Sequence, residues 1–561
     1  MPVAVVYLTR PLVDSGLVAM RSGGTVYRPA LINAGLMAAA LLATEAFRSL
    51  EGWVRTAQAE RVRNRISRLV QEQSAAADLG FYENPDFFDH LHRAKSEGAT
   101  VPLALMENLG GLAQNGITMI AMAGVLTMFG PWLPVVLFAS TLPAFYVVLR
   151  YSVKHHEWWV LRTPDERRSE YYDYVLCSRE YAPELRLFGL TQIFRARFDA
   201  VRSRLTGEKT QLARDQSIAE FWAGAAALLL TGLSLLWMAA RAVRGQASPG
   251  DLALFYQAFQ QGTGLVRVLL GNFAQIYRNS LYLEGLFEFL ALRPQVVSPA
   301  SPLPVPQGLS SGIRFREVEF RYPGSERLAL KDFSLDIPAG KIVAIVGENG
   351  AGKSTLIKLL CRFYDPESGS VEMDGCDLKT LELTQLRRRI AILFQEPAQY
   401  NATVAENIAP ANGADPAAIR ASAIAAGADS IAMKTSHGYE QMLGRWFDDG
   451  ADLSVGEWQR VALARAFLRS SKEATPVLVL DEPTSAMDPW AEADWLNRFR
   501  KLAEGRTALL ITHRFTTARI ADSIAVMVGG RVIERGTHEE LLALGGRYAA
   551  GWAAQTERSG G

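Results

Sequence analysis

The chain has 561 residues, more than one compact domain accommodates, so two or more domains are expected. Its 59 Lys and Arg nearly balance 58 Asp and Glu, and the net charge of +1 excludes a bulk electrostatic case for nucleic acid or an acidic partner. Hydrophobic residues at 49% with charged residues at 21% fit a membrane half joined to a soluble half, and the scattered Cys177, Cys361 and Cys376 form neither a metal spacing nor a disulfide framework.

Residues 1 to 20 are mostly apolar but contain Arg10 and Asp14. They barely cover about 30 Å of hydrocarbon, so this first span is expected to be short, or to begin upstream of Met1. An uncharged run from Pro29 to Thr44 reads as the next span. No charge occurs from Asn108 to Leu149, long enough for two spans, with Gly130-Pro131 as the hairpin turn between them. Phe221 to Ala240 is a further clean span. Leu252 to Tyr277 is interrupted only by Arg267 and carries Gln257, Gln260, Gln261, Asn272 and Gln275. Such polar groups either face a bundle interior or water-filled path, or simply hydrogen-bond between helices. The charged stretches from Glu45 to Glu107 and Arg150 to Glu220 are rich in Arg and poor in helix breakers. They read as helices that continue into the cytosol.

Residues 293 to 312 are rich in Pro, Ser and Gly and form a linker between a membrane domain at 1–292 and a second domain at 313–561. After the linker, short apolar strands alternate with helical runs, the pattern of an α/β domain. Lys341 to Gly347 reads as a buried strand. Gly347-Glu348-Asn349-Gly350-Ala351-Gly352-Lys353-Ser354-Thr355 follows, and then a helical run. This is a complete phosphate-binding loop in its strand–loop–helix context. Its glycines let backbone N–H groups approach phosphates, and the helix N-terminus favours negative charge. Lys353 is expected to reach the β- and γ-phosphates and Ser354 to ligate Mg²⁺. A second strand, Pro476 to Leu480, ends in Asp481-Glu482. That places two carboxylates at the carboxyl edge of the sheet, Asp481 to hold the metal and Glu482 to activate water as a general base.

Leu453-Ser454-Val455-Gly456-Glu457, followed by Gln459-Arg460, resembles the signature motif of the ABC ATPases. The resemblance implies that Ser454, Gly456 and Glu457 open a helix that caps ATP bound to an opposite subunit. It also implies that Tyr322 stacks on adenine, Gln395 reaches Mg²⁺, Asp488 lies in the loop crossing a dimer interface, and His513 contacts the γ-phosphate. Gly444-Arg445 resembles the exporter segment before the signature. Phe81 to Phe88 and Pro183 to Phe188 resemble the coupling regions of the intracellular loops. Val455 and Glu457 depart from the usual Leu-Ser-Gly-Gly-Gln.

The expected architecture is an all-α transmembrane domain of the six-helix exporter type followed by an α/β P-loop ATPase. The function so implied is ATP-driven export or flipping of a hydrophobic or amphipathic substrate across the cytoplasmic membrane by alternating access. Two composite sites would hydrolyse ATP in a dimer with a second copy or a homologous half-transporter. ATP and Mg²⁺ are the implied cofactors, and membrane lipid the surroundings. Soluble ABC ATPases lack such spans, and importers usually divide these domains between chains. Lipid, drug and modified peptide all remain as substrates.

Overall fold

The computed structural model describes residues 2–21, 27–83, 91, 94, 101–244, 246, 248–411, 413–470, 477–484, 492, 495–496, 499–500, 503 and 505–557. The chain divides into two compact units, one of residues 1–75 with 89–292 and one of residues 76–88 with 293–561.

Among the described residues, six long helices build the first unit. They are α1 (Pro2–Arg21), α2 (Arg28–Ala76), α4 (Val101–Thr127), α5 (Leu133–Cys177), α7 (Thr191–Val243) and α8 (Pro249–Ala291). Two short helices, α3 (Leu79–Tyr82) and α6 (Ala182–Leu187), lie between them in sequence. By length and composition α2, α4, α5 and α7 are apolar enough to cross a membrane. In α8 the glutamines and Arg267 dilute the apolar pattern, although its helix is continuous. Gly130-Pro131 falls in the turn between α4 and α5. There the Phe129 carbonyl accepts a hydrogen bond of 3.0 Å from Arg241 near the end of α7.

The first helix forms despite its charges because they find partners on α8. Ser248 and Asp251 start α8 with a reciprocal capping box, and Pro249 presets the first helical φ. Asp14 accepts the Gly250 N–H at 3.0 Å and the Ser248 hydroxyl at 3.3 Å, while Arg10 pairs with Asp251 at 3.0 Å. A charge that would be costly alone in a span is tolerable when paired in this way. At 20 residues α1 is the shortest of the six long helices, roughly the 30 Å that a helix of that length spans.

Among the described residues, the second unit carries two sheets. A four-stranded antiparallel sheet has the order β2 (Leu328–Pro338), β1 (Gly312–Arg321), β4 (Ser368–Met373), β5 (Cys376–Asp377). A six-stranded sheet has the order β10 (Arg531–Gly536), β9 (Ser523–Val528), β3 (Ile342–Gly347), β8 (Thr507–Thr512), β7 (Val477–Asp481), β6 (Ile390–Leu393). β3 is central and parallel to both neighbours. Its side chains alternate between two cores. Ile342, Ala344 and Val346 enter one, and Val343 and Ile345 the other, as a strand covered on both faces requires. The carboxyl ends of β3, β7 and β8 therefore share one edge, where the loops that follow them meet.

Asp374 ties the start of β1 to the turn after β4. Its carboxylate accepts the N–H groups of Ser310, Ser311 and Gly312 at 2.9, 2.9 and 2.8 Å. Burial alone would raise its pKa, but these bonds to the charged form bring it below the ordinary 3.8. The stabilisation is therefore present above pH 3.8 and is lost as the pH falls through the lower folded value. Asp374→Ala is expected to lower stability in urea by about 1–3 kcal/mol at neutral pH. The two proteins should converge only once the pH has fallen below the lowered folded value.

Candidate active site at the carboxyl edge of the six-stranded sheet

β3 runs into the loop Gly347–Gly352, which leads to helix α9 (Lys353–Leu360). Gly352 takes φ +100° at the helix start, and a Cβ there would lie 2.7 Å from the Ala329 carbonyl. Only glycine fits that turn without displacing β2. Ala351 is turned inward. Its N–H donates to Glu348 at 3.2 Å, and its carbonyl accepts from Gly530 at 3.1 Å. Lys353 folds back so that its ammonium donates to the Gly347 and Glu348 carbonyls at 2.7 and 2.9 Å. Burial depresses its pKa, opposed by the nearby Glu482 and Asp481 carboxylates.

Asp481 ends β7, and Glu482 follows it directly. Burial, and then the neighbouring Glu482 charge, push Asp481 up to about 6, while Lys353 and Ser354 hold it back. Glu482 adopts φ +49°, the left-handed region that a glutamate occupies only under strain. Four contacts over-determine it. Its N–H donates to Ile511 at 2.9 Å, and its carbonyl accepts from Gln459 Nε2 at 3.0 Å. One carboxylate oxygen lies 3.1 Å from His513 Nδ1, and the other accepts from Gln395 Nε2 at 3.3 Å. The backbone is thus bent so that the carboxylate meets residues brought in by two other strands.

His513 follows β8, and its loop is anchored beyond it. Glu492 accepts from Arg514, from Thr517 at 2.6 Å and from Thr484 at 3.3 Å. The Phe515 N–H donates to Gln555 at 2.6 Å.

A cavity of about 450 Å³ is lined by Tyr322, Asn349, Gly350, Gly352, Lys353, Ser354, Thr355, Gln395, Asp481 and Glu482, among others. A second of about 650 Å³ adjoins it through Asn349, Gln395 and Glu482 and adds Gly347, Glu348 and His513. Both volumes are those of small-molecule sites. Tyr322 enters from the end of β1, its hydroxyl 3.0 Å from Thr355 Oγ1. The hydroxyl, amide and carboxylate oxygens of Ser354, Gln395 and Asp481 are the donor chemistry of a hard cation such as Mg²⁺.

Ser454, Gly456 and Glu457 are not among the residues lining either cavity. They open α10 (Val455–Ser470). Here the substitution at 457 has a local consequence. The Glu457 carboxylate accepts the Ser454 N–H and hydroxyl, both at 2.9 Å, and the Glu457 N–H returns to Ser454 Oγ at 3.3 Å. This is a capping box, and the Ser454 N–H bond is the main reason the Glu457 pKa is lowered. Val455 is 73% exposed at the helix start. Asp488 lies outside the described residues, as do Ser485 to Met487, Pro476 and residues 84–88 of the Phe81 to Phe88 segment. Glu492 and the grip of Gln459 on Glu482 were not read from the sequence. A polar Gln459 among the apolar Trp458, Val461 and Ala462 was the available signal for the latter.

Residues 330–485 match the family described as ABC transporter. The ATP-dependent lipid A-core flippase of Alkalilimnicola ehrlichii is 30% identical over 553 residues, 98% of this chain and 90% of that protein. The subtilin transport ATP-binding protein SpaT of Bacillus subtilis is 28% identical over 483 residues, covering 85% and 77%. Among solved structures, a bacterial Atm1-family ABC exporter with ATP bound superposes with a TM-score of 0.82 at 25% identity, covering 99% of this chain and 96% of that one.

Proposed function

Since the chain belongs to the ABC transporter family, as an exporter half-transporter whose ATP hydrolysis is coupled to transport, we propose that two copies of it move a lipid-like amphipath across the cytoplasmic membrane. The observation that carries the reading is the strained Glu482, held between His513, Gln395 and Gln459 beside Lys353 and Asp481. Strain of this kind persists where a carboxylate must be aimed.

In this reading the N–H groups of the loop from Gly347 to Thr355 cradle the phosphates. Lys353 leaves its loop carbonyls for the β- and γ-phosphates, and Tyr322 stacks on the base. Ser354, Gln395 and Asp481 hold Mg²⁺, which when bound neutralises phosphate charge. Glu482 takes the proton of the attacking water. His513 orients that carboxylate through Nδ1 and faces the γ-phosphate. Ser454, Gly456, Glu457 and Asp488 serve the nucleotide of the second copy. A homologous half-transporter could take the second copy's place.

Two features support pairing and a membrane setting. The apolar window of α2 is 0% buried within the single chain, so lipid or another subunit must cover it. The signature residues Ser454, Gly456 and Glu457 line neither of the two cavities around Lys353 and Glu482. Nucleotide bound between two ATPase units would draw them together and switch the membrane cavity from inward to outward access. The ATPase unit then lies in the cytoplasm, a placement that the Arg-rich stretches between the spans support. The near full-length similarity to a lipid A-core flippase favours a lipid-like cargo over other amphipaths.

The test is ATP-dependent transbilayer movement of a headgroup-labelled fluorescent lipid in proteoliposomes holding the purified chain. Movement that stops with vanadate supports the reading. Vanadate-sensitive hydrolysis without lipid movement, across lipid classes, overturns the lipid assignment.

A further inference from the structure

Residues 76–88 lie in sequence between two membrane helices, α2 and α4, yet belong to the ATPase unit. Three observations show how they are seated there. Asp78 accepts the Gln295 N–H at 2.5 Å and the Val296 N–H at 3.3 Å, tying the segment to the linker. Leu79 and Tyr322 both pack against the buried core that includes Tyr364. A Cβ on Gly80 would lie 3.1 Å from Cε1 of Tyr364 and 3.6 Å from Pro323, so the backbone passes close over both.

The segment contains Glu83, whose two carboxylate oxygens each take a different donor. Lys358 Nζ donates to one at 2.6 Å and the Tyr364 hydroxyl to the other at 2.5 Å. Both donors bear on Tyr322. The Lys358 ammonium stands 4.7 Å from the centroid of the Tyr322 ring, within cation–π range. The buried Tyr364 ring meets Tyr322 edge to face, with centroids 5.6 Å apart. Tyr322 in turn lines the cavity of the phosphate-binding loop.

We propose that Glu83 is a positioning residue for nucleotide base recognition, fixing Lys358 and Tyr364 so that together they set the face of Tyr322. The inference rests on the ATPase reading above and adds a residue from the membrane-helix connection to it. A lysine stem is flexible, and without a carboxylate its ammonium samples several rotamers and seldom rests over the ring. Glu83 removes that freedom. Base binding and the seating of residues 76–88 then share free energy, and by linkage each strengthens the other.

The experiment is steady-state ATP hydrolysis by the full chain in lipid nanodiscs, with inorganic tripolyphosphate as a competitor that lacks a base. Glu83→Gln, Lys358→Met and the double variant are compared, with thermal midpoints recorded. Glu83→Gln is expected to raise KM for ATP roughly three- to tenfold with kcat changed less than about twofold. The inhibition constant for tripolyphosphate should stay at the wild-type value. Lys358→Met should do the same, and the double variant no worse than Lys358→Met, as for one coupled unit. An unchanged KM overturns the proposal. So does equal weakening of ATP and tripolyphosphate, or a fall in kcat at constant KM. If the wild type itself hydrolyses no ATP, the ATPase reading fails first, an outcome separate from a wild type that works beside an indifferent Glu83→Gln.

Discussion

Glu482→Gln is expected to lower the ATPase rate by about 10²- to 10⁴-fold, the range for losing a positioned general base. ATP affinity should stay within about twofold, because the substitution leaves the phosphate-binding loop and Tyr322 untouched. The geometry makes the loss specific to proton removal. Glutamine fits the same space, can still accept from Gln395, and keeps the N–H and carbonyl bonds to Ile511 and Gln459. What it lacks is a basic oxygen. Glu482→Gly separates the role of the backbone. Glycine takes φ +49° without strain, so this variant should be equally inactive yet melt no lower than Glu482→Gln. Rapid-quench hydrolysis with a parallel binding isotherm and a thermal scan checks all three statements. A glutamine variant that keeps more than a tenth of the wild-type rate would remove Glu482 from the chemistry.

Lys353→Met is expected to raise the dissociation constant for ATP by about 10- to 100-fold, the cost of a lost charge-assisted contact to phosphate. A second effect follows from the same residue. Asp481 is already pushed to about 6, and Lys353 is one of the two groups that hold it down. Without the ammonium, two adjacent buried carboxylates lose their counter-charge, and the nucleotide-free protein should also lose thermal stability. Binding and stability therefore fall together in Lys353→Met, whereas only hydrolysis falls in Glu482→Gln. Isothermal titration with ATP and a thermal scan of the same samples distinguish the two patterns.

The difference between what the residues announce and what the fold adds follows from sequence separation. The loop from Gly347 to Thr355 is legible because all of its parts are contiguous and flanked by the strand and helix that give it meaning. Asp481 and Glu482 are legible because an apolar strand ending in acid must place that acid at the sheet edge. The strain at Glu482 is not, since its causes come from Ile511 and His513, aligned by the parallel register of β7 and β8, and from Gln459 on the separate helix α10. Arg10 and Asp14 made the first span look poor because their partners, Gly250 and Asp251, begin the last long helix of the same unit. The resemblance of Phe81 to Phe88 to a coupling region already pointed toward the ATPase unit, but the contacts of Glu83 with Lys358 and Tyr364 were not legible, because they join residues 275 and 281 positions apart. Glu457 was legible only as a departure from the usual motif, and the structure adds that its carboxylate accepts the Ser454 N–H and hydroxyl.

The central claim is that each nucleotide is enclosed by the phosphate-binding loop of one copy and the signature helix of the other. Disulfide formation between Asn349→Cys and Val455→Cys tests it most directly, in a chain whose Cys177, Cys361 and Cys376 are replaced and which carries Glu482→Gln. Both positions border the elements in question, and Val455 is exposed at its helix start. A covalent dimer that forms with ATP and is absent without it is the expected result. A chain that binds ATP and stays monomeric on a denaturing gel would contradict the composite site.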